Sequence, residues 1–188
     1  MERNELLDTL RDVVVRLGDL GVEYMVTGSV AMSAYATART TFDIDVIVEI
    51  TPRDEERFEQ RFVGDYYVDI ESIRRARQHQ SMFNVLNFST GVKVDLIIRK
   101  QTEFEVAKFT RRRLSKIGDV EFWVISKEDL ILSKLAWAKD SHSELQFSDV
   151  RNLLESGVDE KMIDSSIRVE GLSRVWKAFL EWKTQVAK

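Results

Sequence analysis

The segment from Phe42 to Ile50, FDIDVIVEI, constrains the fold of this chain more than any other feature. Its acidic and apolar residues alternate with the period of two that is typical of a β-strand. The alternation places Asp43 and Asp45 on one face, with α-carbons ~7 Å apart, and Ile44 and Val46 on the other face. The chain must therefore build a sheet that buries one face of this strand and accommodates two neighbouring carboxylates on the opposite face.

The rest of the sequence predicts mixed strands and helices up to residue 125 and helices alone after Ser126. Runs of β-branched and aromatic residues predict strands, and Ser89-Thr90-Gly91 is typical of a hairpin turn. The predicted strands are 22–27, 42–50, 66–71, 82–88, 92–98 and 121–125. Apolar residues at helical spacing predict helices, with Thr51-Pro52 and Ser126 as starting points. The predicted helices are 4–19, 30–36, 52–62, 73–80, 127–139, 144–156, 160–166 and 170–186.

These elements predict an α+β fold in which a mixed β-sheet core is flanked by helices. We expect residues 1–125 to form this core and residues 126–188 to form a helical C-terminal subdomain that closes a cleft over it. No linker separates the two parts, so they should form one compact unit.

The composition excludes several kinds of functional site. The chain has no cysteine, which rules out disulfides, zinc-thiolate centres and a thiol nucleophile. Its two histidines, His79 and His142, are too few for an all-histidine metal cluster. No apolar stretch approaches the ~20 residues of a membrane span, and the N-terminus is too polar for a signal peptide. We therefore expect a cytoplasmic protein without membrane contact.

Charge is distributed unevenly along the sequence. The chain has a net charge of −4, yet residues 99–116 carry seven cations and two acids, a local +5 that leaves −9 elsewhere. A second basic group, Arg74-Arg75-x-Arg77, precedes this segment. Such runs are compatible with a solvated surface or with a polyanion partner. The stretch from Arg111 to Arg113 could contact acceptor phosphates or form alternating faces of a short strand.

The acidic pair on the strand from Phe42 to Ile50 is best explained by a divalent cation. Two carboxylates this close raise one another's pKa unless a positive charge lies between them, and Mg²⁺ prefers such oxygen ligands. Asp95, in the apolar strand segment VKVDLII, supplies a candidate third carboxylate. Gly28-Ser29, at a predicted strand-to-helix junction, could present backbone N–H groups to a phosphate. The two-aspartate pattern alone favours a solvent-facing strand, and Asp95 together with the upstream Gly28-Ser29 shifts the interpretation to a metal site.

The order of these motifs resembles a known superfamily. Gly28-Ser29, followed after thirteen residues by Asp43-Ile44-Asp45-Val46 and later by a strand aspartate, resembles the signature of polymerase-β-type nucleotidyltransferases. The run Arg39-x-Thr41-x-Asp43-x-Asp45 is similar to its minimal bacterial members. Two C-terminal segments, DLILSKL at 129–135 and DVRNLL at 149–154, are similar to AbiEii- and MenT-like toxin-type proteins. The resemblance covers roughly residues 22–154 and implies a nucleotidyltransferase-type sheet with flanking helices.

The resemblance also implies a magnesium-dependent transfer of a nucleotide from an NTP to a hydroxyl acceptor, with release of pyrophosphate. Two Mg²⁺ ions are expected, and the implied metal ligands are Asp43, Asp45 and Asp95. Asp95 would also help to activate the acceptor hydroxyl. The implied nucleotide-binding and supporting residues are Gly28, Ser29, Arg39, Thr41, Lys134 and Asp149.

For a toxin-type enzyme the implied acceptor is a tRNA 3′ end and the implied partner is a cognate antitoxin. An antibiotic-modifying nucleotidyltransferase is one alternative, and a non-catalytic nucleotide-binding module on the same fold is another. Lys134 alone would also suit a lysine that snorkels from its helix or forms a structural ion pair with Asp149.

Overall fold

The computed structural model describes residues 3–36, 41–141 and 143–186. Within those ranges the chain forms nine helices and seven strands. The helices are α1 Arg3–Leu20, α2 Gly28–Met32, α3 Glu55–Phe62, α4 Ile70–His79, α5 Glu103–Thr110, α6 Lys127–Ser141, α7 Glu144–Glu155, α8 Glu160–Val169 and α9 Ser173–Val186. The strands are β1 Tyr24–Thr27, β2 Asp43–Val48, β3 Tyr66–Tyr67, β4 Met82–Asn87, β5 Lys93–Ile98, β6 Arg113–Ile117 and β7 Val120–Val124.

All seven strands join one mixed sheet in the order β3-β4-β5-β2-β1-β7-β6. Strands β2 and β5 are parallel, as are β1 and β7, and the other neighbouring pairs are antiparallel. The sheet with its flanking helices and helical C-terminal part confirms the predicted α+β fold. The acidic strand β2 lies in the middle of the sheet, beside β5.

One face of the sheet is an apolar layer that holds the fold together. The paired residues Val46 on β2 and Leu96 on β5 are fully buried in it. Helix α3 packs on this layer, where Phe58 meets Phe83 of β4 edge to face with ring centroids 5.4 Å apart. Burial of apolar area contributes roughly 25 cal/mol per Å², so this face supplies a large part of the driving force. The opposite face carries the polar partners of the alternating strands.

Two predicted boundaries were wrong because of local hydrogen bonds. The strand predicted for 66–71 ends at Tyr67, since the Asp69 side chain accepts from Ser72 N at 3.0 Å and caps α4. The helix predicted from Pro52 begins at Glu55, because Asp54 accepts hydrogen bonds from the backbone and hydroxyl of Thr51 in a preceding turn.

Helix α5 and strand β6 were not predicted as elements. The arginine stretch 111–113 leads from α5 into β6, so part of it does enter a short strand.

The helical C-terminal part is packed onto the sheet domain through α6. Ser126 starts this helix by the predicted capping box, with its Oγ 3.2 Å from Asp129 N and 2.6 Å from the Asp129 carboxylate. Helix α6 contacts α2 on one side and α7, α8 and α9 on the other. One hydrophobic core therefore runs from α1 to α9. Among the described residues, no helix combines the length and apolar character that a membrane crossing requires.

Candidate active site

The three candidate metal-binding aspartates lie together on the polar face of the sheet. Strands β2 and β5 pair in parallel with Asp45 directly opposite Asp95, so both side chains project from the same face. Asp43 lies two residues before Asp45 and shares that face. The structure therefore places Asp43, Asp45 and Asp95 on one face of two neighbouring strands.

A lysine that the sequence analysis did not identify sits among these carboxylates. Lys93 is opposite Asp43 in the β2–β5 register, and its Nζ lies 2.9 Å from Asp95 Oδ2 and 3.7 Å from Asp43 Oδ2. The hydrogen bond to Asp95 is the main cause that raises the pKa of the Lys93 ammonium. The spacing of two between Lys93 and Asp95 in a strand could have revealed this neighbour. Lys93 therefore supplies positive charge between two of the three carboxylates.

Like charge remains concentrated around Asp45. Burial is the largest cause that raises the pKa of this carboxyl group, followed by the charges of Asp95 and Asp43. The ammonium groups of Lys134 and Lys93 act in the opposite direction. A site that places carboxylates this close would be stabilised by a further cation.

The donor set suits a magnesium ion. Asp95 is 7% exposed, and its Oδ1 atom is buried without a hydrogen-bond partner among the described residues. A buried carboxylate oxygen without a partner is costly unless a ligand or an ion satisfies it.

As they stand, no three acidic or histidine side chains in the described ranges are close enough together to hold a metal ion. A divalent ion at these carboxylates would compete with the Lys93 ammonium, whose side chain is 40% exposed.

Gly28, at the junction of β1 and α2, lies in close contact with the side chain of Asp45. Strand β1 ends at Thr27, which is paired with Asp45, and α2 starts at once with Gly28 at φ +65°. A Cβ atom at Gly28 would overlap the Asp45 carboxylate, lying 2.8 Å from its Cγ atom. Only glycine allows this approach, because other residues are also strained at positive φ. Ser29 follows in the first turn of α2 and is buried.

The two residues predicted before the acidic pair have different outcomes. Thr41 Oγ1 donates to the Asp43 carbonyl at 3.3 Å, so this side chain braces the start of β2. Arg39 lies outside the described residues, as does His142.

Lys134 and Asp149 form a buried ion pair between α6 and α7. The Lys134 Nζ lies 2.6 Å from Asp149 Oδ2, and both side chains are almost completely buried. The structural pairing that the sequence left open is therefore present. The ammonium is also close enough to Asp45 to oppose the rise of its pKa. The pair consequently holds a positive charge of the helical part within electrostatic range of Asp45.

Most cations of the basic segment 99–116 are already neutralised by carboxylates of this chain. Four of them have acidic partners, in the pairs Arg99–Glu49, Lys108–Glu105, Arg111–Asp129 and Arg112–Glu23. Arg111 binds Asp129 through two hydrogen bonds of 3.0 and 2.7 Å, the bidentate arrangement typical of strong arginine–carboxylate pairs. The local +5 is thus mainly structural and gives little support for a polyanion partner at this segment.

Comparison with known proteins identifies the fold. A candidate nucleotidyltransferase from Thermotoga maritima shares it with a TM-score of 0.54 and 19% identity, over 77% of this chain and 92% of that chain. The lincosamide antibiotic adenylyltransferase LnuA, bound to lincomycin, matches with a TM-score of 0.52 and 15% identity over 81% and 96%. A nucleotidyltransferase-like antigenic protein from Paracoccidioides brasiliensis matches with a TM-score of 0.54 and 16% identity over 96% and 94%.

The sequence itself matches no family model and no curated protein. The comparisons therefore show a fold shared with nucleotidyltransferases.

Proposed function

We propose that this protein is a magnesium-dependent nucleotidyltransferase that transfers a nucleotide from an NTP to a hydroxyl acceptor and releases pyrophosphate. The observation that carries the proposal is the register of β2 against β5, which puts Asp43, Asp45 and Asp95 on one face. The contact of Gly28 with Asp45 supports it, because it brings a strand-to-helix turn to the same carboxylates. The shared fold of nucleotidyltransferases supports the class of reaction.

Magnesium would be held by Asp43, Asp45 and Asp95. When bound, Mg²⁺ neutralises the charge of the triphosphate and stabilises the negative charge that develops during phosphoryl displacement. The unpartnered Asp95 Oδ1 and the excess of like charge around Asp45 are the features of this chain that support such an ion. Two ions are proposed, since three carboxylates exceed what a single Mg²⁺ with substrate phosphates usually takes from a protein.

The chain's own residues would position the reacting groups. The backbone N–H groups of Gly28 and Ser29, with the Ser29 hydroxyl, would donate to the β- and γ-phosphates. Lys134, held by Asp149, would place its positive charge beside the triphosphate. Asp95 would accept the proton of the acceptor hydroxyl. The hydroxyl oxygen would bond to the α-phosphorus, and the bond between the α-phosphorus and the departing pyrophosphate would break. Most of the rate enhancement would come from positioning and charge neutralisation.

A toxin-type role is the specific biological function that we propose. The similarity of the segments 129–135 and 149–154 to AbiEii- and MenT-like proteins supports a tRNA 3′ end as acceptor and a cognate antitoxin as partner. Modification of an antibiotic is the alternative activity, favoured by the fold shared with a lincosamide adenylyltransferase.

One labelling experiment tests the proposed reaction. The protein is incubated with Mg²⁺, each α-labelled NTP in turn, and either total tRNA or a panel of lincosamides and aminoglycosides. We expect transfer of label, and a loss of roughly 100-fold or more in Asp43→Asn, the cost typical of removing one transition-state-stabilising group. Asp164→Asn, on the exposed surface of α8, is the matched control and should keep full activity.

The labelled product identifies the acceptor. Label in RNA supports the toxin-type enzyme, and label on a drug supports the antibiotic-modifying enzyme. NTP binding without transfer to any acceptor would support the non-catalytic nucleotide-binding module. Failure to bind any NTP in the presence of Mg²⁺ would contradict all three functions.

A further inference from the structure

A cleft of about 240 Å³ lies beside the acidic site, at the edge of the sheet. It is bounded by helix α4 and by the first half of β4, and its lining includes Tyr67, Ser72, Arg75, Met82 and Asn84. In the described part of the sheet, β3 pairs with β4 only at residues 86 and 87. The first half of β4 therefore pairs with β5 on its inner edge and has no strand on its outer edge within the described residues, and the cleft lies there.

The strand register connects this cleft to the candidate catalytic carboxylates. Asn84 on β4 is directly opposite Asp95 on β5, and Asp95 is directly opposite Asp45 on β2. All three side chains share one face of the sheet, and directly opposed residues on neighbouring strands lie ~5 Å apart. A molecule seated in the cleft would thus have to extend past only one residue, Asn84, to reach Asp95.

The cleft contains an arginine, Arg75, that forms no ion pair within the described residues, although its charge contributes, after the hydrogen bond from Ser72, to lowering the pKa of Asp69. Arg74 and Arg77, on the same helix, are paired with carboxylates that include Glu55. Arg75 forms no ion pair in the described ranges, and its guanidinium has a single long hydrogen bond of 3.4 Å to Ser72 Oγ. The acidic residue of the cleft, Asp69, is occupied, since its carboxylate accepts from Ser72 Oγ at 2.6 Å and from two backbone N–H groups. Arg75 is therefore available to an anion.

An exposed aromatic ring completes the cleft. Tyr67 is 57% exposed, although an aromatic residue in a sheet normally buries most of its surface. It lies opposite Leu86, which lies opposite Lys93, so its ring is on the same face as the carboxylates. An exposed ring beside an unpaired guanidinium is an arrangement that binds single-stranded nucleic acid, with a base stacked on the ring and a phosphate on the arginine.

We propose that this cleft is the acceptor subsite and that it takes the 3′-terminal nucleotide of a single-stranded RNA. The inference rests on the proposed function, since it assigns a substrate class to the same site. The terminal base stacks on Tyr67, a backbone phosphate binds Arg75, and Asn84 directs the ribose hydroxyl toward Asp95. The positive charge of Arg75 would attract a phosphate and repel a cationic aminoglycoside. This property favours a nucleotide over an aminoglycoside antibiotic.

Binding of a labelled oligonucleotide tests this subsite without catalysis. The probe is a six-nucleotide single-stranded RNA with a fluorophore at its 5′ end, and its affinity is measured by fluorescence anisotropy over a series of salt concentrations. We expect Arg75→Gln to weaken binding about tenfold and to reduce the slope of log K against log salt by about 0.7, the value for one phosphate contact on a single strand. Arg174→Gln replaces an exposed arginine of α9 as the matched control and should change neither quantity.

Substitutions of the ring test the stacking contact. Tyr67→Leu should weaken binding by between about 5-fold and 100-fold, the range expected for loss of one stacked base. Tyr67→Phe keeps the ring and should bind as the wild type does. Melting temperatures of all variants establish that they are folded.

The results distinguish failure of the proposed acceptor subsite from failure of the proposed nucleotidyl transfer. Equal affinities of Arg75→Gln and Arg174→Gln, or of Tyr67→Leu and the wild type, would overturn the subsite. Binding of α-labelled NTP with Mg²⁺ is measured on the same proteins and should be unchanged in Arg75→Gln. If the wild type binds no NTP, the proposed function fails, whatever the oligonucleotide result.

Discussion

At the scale of single residues, the carboxylates on the polar face of the sheet lower the stability of the folded protein. Asp45 has a raised pKa, so its ionised form is less favourable in the folded protein than in the unfolded chain. This contribution disfavours folding at neutral pH and disappears as the pH falls through the raised pKa. Lys93 partly offsets it by holding Asp95 and facing Asp43. Destabilising side chains that a protein retains in one place are typical of functional sites.

Replacement of Lys93 measures this compensation. In the absence of metal, Lys93→Met should lower the free energy of unfolding by about 1 kcal/mol, less than the roughly 1.5–3 kcal/mol of a hydrogen bond to a charged group, because the lysine is 40% exposed. For a chain of this length that corresponds to a melting temperature about 2–4 °C lower. Lys100→Met, on an exposed lysine just beyond the same strand, is the control and should have little effect.

Magnesium should stabilise Lys93→Met more than the wild type, since no ammonium competes for the carboxylates. Thermal unfolding with and without Mg²⁺ measures both effects. A metal-dependent shift that is the same in both proteins would contradict the competition between Lys93 and the ion.

At the scale of secondary-structure elements, the junction of β1 and α2 determines how closely the backbone approaches the Asp45 carboxylate. Gly28 and Gly171 both have φ +65°, so an alanine at either position carries the same backbone strain. Only at Gly28 does the added methyl group meet another residue, Asp45. The comparison of the two glycines therefore isolates that contact.

Gly28→Ala should abolish NTP binding and lower the melting temperature more than Gly171→Ala. The added Cβ atom must displace the Asp45 carboxylate or open the turn, and either movement disrupts the acidic site. Titration calorimetry with NTP and Mg²⁺, together with thermal unfolding, measures both effects. Unchanged NTP affinity in Gly28→Ala would show that the turn does not hold the phosphates.

The sequence predicted well those elements that a local residue pattern defines. It could not predict the features that depend on contacts between distant parts of the chain. The strands Asp43–Val48 and Lys93–Ile98 were predicted to within two residues, because their alternation matches a sheet with one buried face. The same alternation predicted that Asp43 and Asp45 share one face of their strand and that Asp95 points away from its apolar neighbours. The strand order that places Asp45 opposite Asp95 is set by tertiary contacts, and so is the position of Lys93 between two carboxylates.

The unpredicted segment 103–117 illustrates the same limit. This segment contains helix α5 and the edge strand β6. Between them, Arg111 and Arg112 pair with the distant acids Asp129 and Glu23. A charge run read alone resembles a solvated or polyanion-binding surface. Its ion pairs appear only after the chain has folded.

At the scale of the whole molecule, one hydrophobic core and an arginine–carboxylate ion pair connect the sheet domain to the helical C-terminal part. Asp129 of α6 accepts two hydrogen bonds from Arg111 across their boundary, and the Tyr35 hydroxyl donates at 2.6 Å to the carbonyl of Ile125, the last residue before that boundary. The buried pair of Lys134 and Asp149 faces the carboxylates of β2. Removing either part would expose the core face of the other, so we propose that the two parts fold as one unit.

Urea unfolding should therefore be a single transition. Peptides from β2 and β5 and peptides from α7 and α9 should lose protection from hydrogen exchange at the same urea concentration, because one continuous core joins these elements. Hydrogen exchange with mass spectrometry across a urea series makes this comparison without any substitution. If α7 and α9 exchange at a lower urea concentration than the strands, the helical part is a separate unit that can open from the acidic site on its own.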